Sequence, residues 1–143
     1  MSLAHHELCF GCGNANLFGL QMEIEPADGQ PGAVSGRFFL KQDHQGPPGI
    51  AHGGVLSSAL DEAMAMALWS QDIHALTRRL EVDLLAAPPV GVFLRVDARM
   101  ESREAGNVWV TARAREVGED ARIVAEARGL FVEIEGRVDQ SRS

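Results

Sequence analysis

The chain has 143 residues, of which 45 % are apolar, and a formal net charge of −7. That length favours one domain around one core, and the apolar share excludes a disordered chain. No apolar run reaches the roughly 18 residues that span a bilayer, and an acidic chain without a basic cluster is a poor partner for nucleic acid.

The opening MSLAHHEL lacks a basic start followed by an apolar stretch, so a cytoplasmic protein without a membrane partner is expected. HHELCFGCG follows, offering His5, His6, Cys9 and Cys12 as four soft ligands. There is no second Cys pair, and adjacent histidines seldom bind one ion, so no metal is expected. Nor is a disulfide, in a reducing compartment. Cys9 and Cys12 read instead as small buried residues beside Phe10. A single domain over 1–143 is expected, with 1–18 and the tail RVDQSRS (137–143) peripheral to it.

LQMEIEP and AVSGRFFL each read as a short strand, separated by the turn-rich ADGQPG. KQDHQGPPGIAHGG is too rich in Gly and Pro for regular structure. A helix is expected from about Gly53 to Trp69. Beyond it the pattern changes to period two: Leu80, Val82 and Leu84; then Leu94, Val96, Ala98 and Met100; then Val108, Val110, Ala112 and Ala114. RIVAEARGLFVEIEG closes the series, and AAPPVG, EAGN and VGED serve as short connectors. Strands with one apolar face belong to an antiparallel sheet covered on one side. The expected class is therefore α+β, one long helix against an antiparallel sheet of five to six strands.

The helix carries the candidate chemistry. At 100° per residue, Val55, Leu56, Ala59, Leu60, Ala63, Met64, Met66 and Ala67 fill most of the circle. Ser57, Ser58, Asp61 and Glu62 share the remaining arc with Ala65. Both carboxylates fit the solvated stripe of an ordinary amphipathic helix. Small residues around Asp61 and the absence of any Lys or Arg on the helix favour a second reading. A ligand can reach a partly desolvated Asp61, whose pKa would then rise and make it a better base.

At the helix start the first-turn N–H groups have no intrahelical partner and lie at the positive end of the dipole. Gly53 and Gly54 present no side chain to an approaching carbonyl oxygen, which is the geometry of an oxyanion hole; they equally suit a tight turn. His52 either joins that site or caps the helix. Eight residues separate Gly53 from Asp61, ~12 Å along one helix. One carbonyl cannot touch both, so a shared site needs two subunits, with two helices antiparallel across a symmetric dimer.

The segment GIAHGGVLSSALDEAM resembles the hotdog-fold thioesterases, in particular PaaI-like acyl-CoA thioesterases, with the acid nine residues after the His of HGG. HQGPPG before it, LTRRLEVDLLAAPPVG after it and the opening CFGCGNANLFGL extend the resemblance over nearly the whole chain. It implies a helix wrapped by a curved antiparallel sheet, homodimers joined edge to edge, and often a dimer of dimers (a homotetramer). It implies hydrolysis of an acyl-CoA thioester by water activated by Asp61, or by Asp61 as nucleophile. The Gly53 N–H of the facing subunit would polarise the carbonyl, His52 would border the site, and Thr77 would position the water. Several members carry Asn or Gln six residues before the His, where this chain has Gly46. That role passes to Gln45, to His44 or to no side chain. Gly54, Ser57 and Ser58 complete the candidate substrate contacts.

No cofactor is called for. The alternatives are a non-catalytic acyl-CoA binding or sensing module and an enoyl-thioester hydratase on the same fold. Asp61 argues against the first, since a binder of an anionic ligand needs no carboxylate, and the HGG register argues against the second. Arg78, Arg79, Arg95, Arg99 or Arg113 could hold coenzyme A phosphates, although a solvated sheet face is the default for each.

Overall fold

The computed structural model describes residues 2–118 and 121–134. Its elements run β1 (Glu23–Pro26), β2 (Ala33–Phe39), α1 (Gly53–Trp69), β3 (Ala75–Leu84), β4 (Phe93–Glu104), β5 (Asn107–Glu116) and β6 (Ile123–Glu133). The tail 137–143, the last two residues of RIVAEARGLFVEIEG and the last two of VGED lie outside the described residues. The six strands form one antiparallel sheet in the order β1-β2-β4-β5-β6-β3. Because α1 joins β2 to β3, the chain crosses the sheet from one side to its far edge, and the helix lies across the concave face.

Period two in the sequence becomes burial in the sheet. Leu94, Val96 and Ala98 on β4 and Val108, Val110, Ala112 and Ala114 on β5 all face inward. Opposite them α1 buries Leu56, Ala59, Leu60, Ala63, Met64, Met66, Ala67 and Leu68. Each fully buried Leu or Met there contributes about 1.5–3 kcal/mol relative to exposure. Val55, expected in that set, is only half-buried. On β6, Gly129 lets the helix come close: a Cβ there would stand 3.2 Å from Met64 Cε. EAGN makes a two-residue hairpin with Ala105 and Gly106 at φ 50° and 82°, the left-handed pair that matches strand twist. Register shifts interrupt β3, β4 and the β5–β6 ladder, at Thr77/Arg79, Met100/Ser102 and Ala114/Arg115. Bulges of this kind bend a sheet around what it covers.

One strand departs from expectation. Leu80 and Leu84, read as part of a covered face, are 37 % and 52 % exposed, and Leu76 is 58 % exposed. β3 is an edge strand that α1 touches without covering, so Leu80 and Leu84 stay partly open within a single chain, and the register sets Leu76 on the other face. The N-terminal segment, without regular structure, folds back on the helix and places Cys12 in the main core cluster.

Candidate functional site

Asp61 stands half-buried on the polar stripe of α1, and Thr77 lies across from it on β3. The Thr77 Oγ1 hydroxyl donates to Asp61 Oδ1 at 2.7 Å. A bulge makes this contact. Phe131 and Gly129 on β6 face the helix, and their partners on β3 are Thr77 and Leu80. Three positions separate Thr77 from Leu80, so simple alternation would aim them at opposite faces. The extra residue at Arg78 brings both inward. Burial pushes the Asp61 carboxyl above the ordinary carboxylate range, while the Thr77 hydrogen bond and the His5 charge pull it back.

The other end of the helix is built by His52. It is the N-cap residue, in extended conformation (φ −68°, ψ 134°), and its Nδ1 accepts from Gly54 N–H at 2.8 Å. The imidazole thereby consumes one of the two glycine N–H groups expected to face a ligand. Gly53 N–H, as a first-turn amide, has no intrahelical acceptor. Leu84 of β3 lies against this point, since a Cβ on Gly53 would meet Leu84 Cδ1 at 2.9 Å.

The remaining candidates divide. Ser57 and Ser58 donate back to Gly53 O at 2.9 Å and Gly54 O at 2.8 Å, so their protons serve the helix, and their oxygens stay able to accept. Gln45 Oε1 accepts from Gly49 N–H at 2.9 Å and ties the loop that precedes HGG. His44 turns inward beside Phe38 and is 4 % exposed. Its Nδ1 accepts from Lys41 N–H at 3.1 Å, and its carbonyl accepts from His52 N–H at 2.8 Å. His44 thus supports His52 through the backbone while its ring fills the core. At Gly46 a Cβ would stand 3.2 Å from His52 Cα and Cδ2, so His52 itself occupies the space of a side chain there.

Arg79, Arg95 and Arg113 pair with Glu81, Asp97 and Glu126 at 3.1, 3.3 and 3.1 Å on the exposed surface. Among the described residues Arg78 and Arg99 make no ion pair. Trp69 packs edge-on between His5 and His74, and Trp109 lies under the Arg128 guanidinium at 3.8 Å. His5 is a neighbour that strand and helix periodicity could not have supplied.

Residues 48–115, which hold HGG, Asp61 and Thr77, match the family model described as the thioesterase superfamily. That stretch, a little under half of the chain, is similar to the thioesterase superfamily. Among similar proteins, the acyl-coenzyme A thioesterase THEM4 of Xenopus laevis is 27 % identical over 90 residues. These make up 63 % of this chain and 40 % of the frog protein, so the chain spans well under half of that relative's length. The PaaI protein of the Escherichia coli phenylacetic acid degradation operon superposes with a TM-score of 0.74 at 23 % identity, covering 82 % of each chain. A hypothetical thioesterase of Streptococcus pneumoniae, solved with coenzyme A, gives 0.73 at 18 % identity over 82 % of this chain and 88 % of that one. The fold is the hotdog fold, one long helix in a curved six-stranded antiparallel sheet. No helix among the described residues is long and apolar enough to cross a membrane.

Proposed function

We propose that this chain is a member of the thioesterase superfamily and hydrolyses an acyl-CoA thioester, with Asp61 as the group that activates the attacking water. The observation that carries the reading is the Thr77–Asp61 pair: a half-desolvated carboxylate on a largely apolar helix, with one oxygen fixed by a hydroxyl. Water between Asp61 and the thioester gives its proton to the carboxylate as its oxygen bonds to the carbonyl carbon. The carbonyl oxygen gathers negative charge, which a Gly53 N–H at the positive end of a helix stabilises. Collapse breaks the C–S bond, and the departing thiolate takes up the proton, leaving free acid and coenzyme A thiol. Direct attack by Asp61, through an anhydride that water then opens, has the same balance. The frog relative, an acyl-coenzyme A thioesterase, and the coenzyme A in the pneumococcal structure support the substrate class.

The distance along α1 keeps Gly53 and Asp61 of one chain out of a single site. The active unit in this reading is a homodimer, or a dimer of such dimers, in which each site takes Asp61 and Thr77 from one subunit and Gly53 and His52 from the other. The partly open Leu80 and Leu84 on the edge strand support this. An exposed ten-residue edge strand is a surface that soluble proteins normally pair or cover. Leu80→Lys is expected to shift the chain toward monomers in light scattering and to abolish hydrolysis with it. A Leu80→Lys protein that stays fully dimeric and active would remove the edge from the interface.

The first test is free-thiol release from short, medium, long and aryl acyl-CoA thioesters. Cleavage of any one class supports the reading. Tight binding of acyl-CoA without cleavage would favour a carrier or sensor instead. Thr77→Val then probes the site's tuning. It removes the hydrogen bond that favours ionised Asp61, so the Asp61 pKa rises further and the acid limb of the kcat/KM profile moves to higher pH. Thr77→Ser is expected to restore the limb. Profiles that coincide in all three proteins would separate Thr77 from the catalytic carboxylate.

A further inference from the structure

The N-terminal segment carries a cluster that thioester hydrolysis does not use. His5 Nδ1, Cys9 Sγ, Cys12 Sγ and a Glu62 carboxylate oxygen all lie within 4.8 Å of one another, with Glu62 supplied by α1. The sulfur atoms of Cys9 and Cys12 each stand 3.6 Å from His5 Nδ1, and Cys9 Sγ stands 3.5 and 3.7 Å from the two Glu62 oxygens. Tetrahedral zinc, with bonds of about 2.3 Å to sulfur and about 2.0–2.2 Å to nitrogen and oxygen, sets its S···N and S···O edges at about 3.5–3.6 Å. Three observed separations, from His5 Nδ1 to each sulfur and from Cys9 Sγ to Glu62 Oε1, are therefore those of edges of a zinc tetrahedron. A fourth edge, His5 Nδ1 to Glu62 Oε1, is 2.8 Å. A zinc tetrahedron sets that N···O edge at about 3.4 Å, so the two side chains would part by roughly 0.6 Å around an ion.

We propose that His5, Cys9, Cys12 and Glu62 form a structural zinc site that fastens the N-terminal segment to α1 beside Asp61.

The backbone is shaped for this. Cys9-Phe-Gly-Cys12-Gly is a tight loop closed by Gly13 N–H to Cys9 O at 2.9 Å, and His5 N–H donates to Cys12 Sγ at 3.2 Å. Gly11 exists for the fourth ligand: any Cβ there would collide with Cγ, Cδ and Oε2 of Glu62. At Gly13 a Cβ would collide with the backbone of Glu7 and Cys9. His6, the adjacent imidazole, points away and accepts from Leu8 N–H at 3.2 Å. The four positions are closed to a substrate: the Glu62 side chain is 12 % exposed and Cys12 5 %. A closed set of two thiolates, an imidazole and a carboxylate suits structural zinc rather than a catalytic ion with an open position. The gain is tertiary. Internal backbone hydrogen bonds shape the loops of this segment, and a metal would add a bond from it to the helix.

Metal content decides the matter independently of any activity. The wild-type chain, purified from zinc-supplemented cells under reducing conditions, is expected to carry about one zinc per chain. Cobalt exchanged into the site is expected to show thiolate-to-cobalt charge-transfer absorption and tetrahedral ligand-field bands. Glu62→Gln is expected to weaken zinc binding by about tenfold or more, and Cys9→Ser with Cys12→Ser to abolish it, whereas His6→Ala leaves it unchanged. Should the double variant not fold, chelation of the wild type gives the same information. Zinc removal should lower its melting temperature and expose both thiols to a thiol reagent, and added zinc should reverse both. A reduced, folded wild type that takes up neither zinc nor cobalt overturns the proposal, leaving a hydrogen-bonded thiol cluster. Isolation with Cys9 and Cys12 joined in a disulfide that zinc does not displace after reduction overturns it equally.

Discussion

Asp61→Asn is expected to lower kcat for acyl-CoA hydrolysis by a factor of about 10²–10⁴, the range for loss of a general base, without weakening the fold. The asymmetry follows from the two surroundings of the side chain. Asn keeps the Oδ1 that accepts from Thr77, so the 2.7 Å hydrogen bond and the position of β3 against α1 survive. What is lost is the charge. Burial raises the folded-state pKa of Asp61 above that of the unfolded chain. Its ionisation therefore opposes folding: the favourable contribution is complete below the unfolded pKa and disappears as pH rises through the folded one. At pH 7 the wild type carries that cost and the Asn variant does not. Thermal melts should place Asp61→Asn at or above wild type at pH 7, with the difference closing as pH falls below the folded pKa. The same ionisation should appear as the acid limb of the wild-type rate profile, activity falling as pH drops through it. A variant that loses activity and also melts lower would make Asp61 a structural residue whose removal damages the site indirectly. One that keeps full activity would move the chemistry elsewhere.

The sequence and the structure agree most closely where one element's pattern decides the outcome. The Gly-Gly start and the long apolar run define α1 at Gly53–Trp69, and alternation on β4 and β5 selects the residues that are buried. Agreement ends where a contact depends on two distant segments. Alternation on β3 would have set Thr77 and Leu80 on opposite faces. Only the bulge at Arg78 turns both toward the helix, and a bulge leaves no mark in a pattern of apolar and polar residues. Resemblance, not periodicity, singled out Thr77. The exposure of Leu80 and Leu84 was hidden for a related reason: an apolar row shows that a face is to be covered, and not by which chain. HHELCFGCG offered two histidines and two cysteines, yet the fold pairs the cysteines with His5 and with Glu62, fifty residues further on. No local spacing rule reaches that far.

Gly53→Pro should be as damaging as Asp61→Asn, and combining the two tests where each site comes from. Gly53 is the first helical residue, where proline fits: the amide it removes has no intrahelical acceptor, and His52 before it is already extended, as a residue preceding proline must be. The ring meets a Leu84 methyl group at the end of a mobile side chain, which can turn aside. The substitution thus deletes one N–H at the helix start and little else. If that N–H holds the oxyanion, kcat falls by about 10²–10³, as for loss of a single oxyanion-hole donor, in a protein that still dimerises. Neither variant alone is active. Unfolding and refolding them together at equal concentration gives, in about half of the dimers, one chain of each kind. In such a mixed dimer the intact Asp61 of the Gly53→Pro chain faces the intact Gly53 of the Asp61→Asn chain. One of its two sites is whole and the other lacks both groups. Activity should return to about a quarter of the wild-type level per site. If Gly53 and Asp61 of one chain served the same site, every site in the mixture would carry a lesion, and mixing would restore nothing. Recovery near a quarter therefore fixes the site between subunits, and a flat response refutes the shared-site geometry while leaving each residue's own role to its single variant.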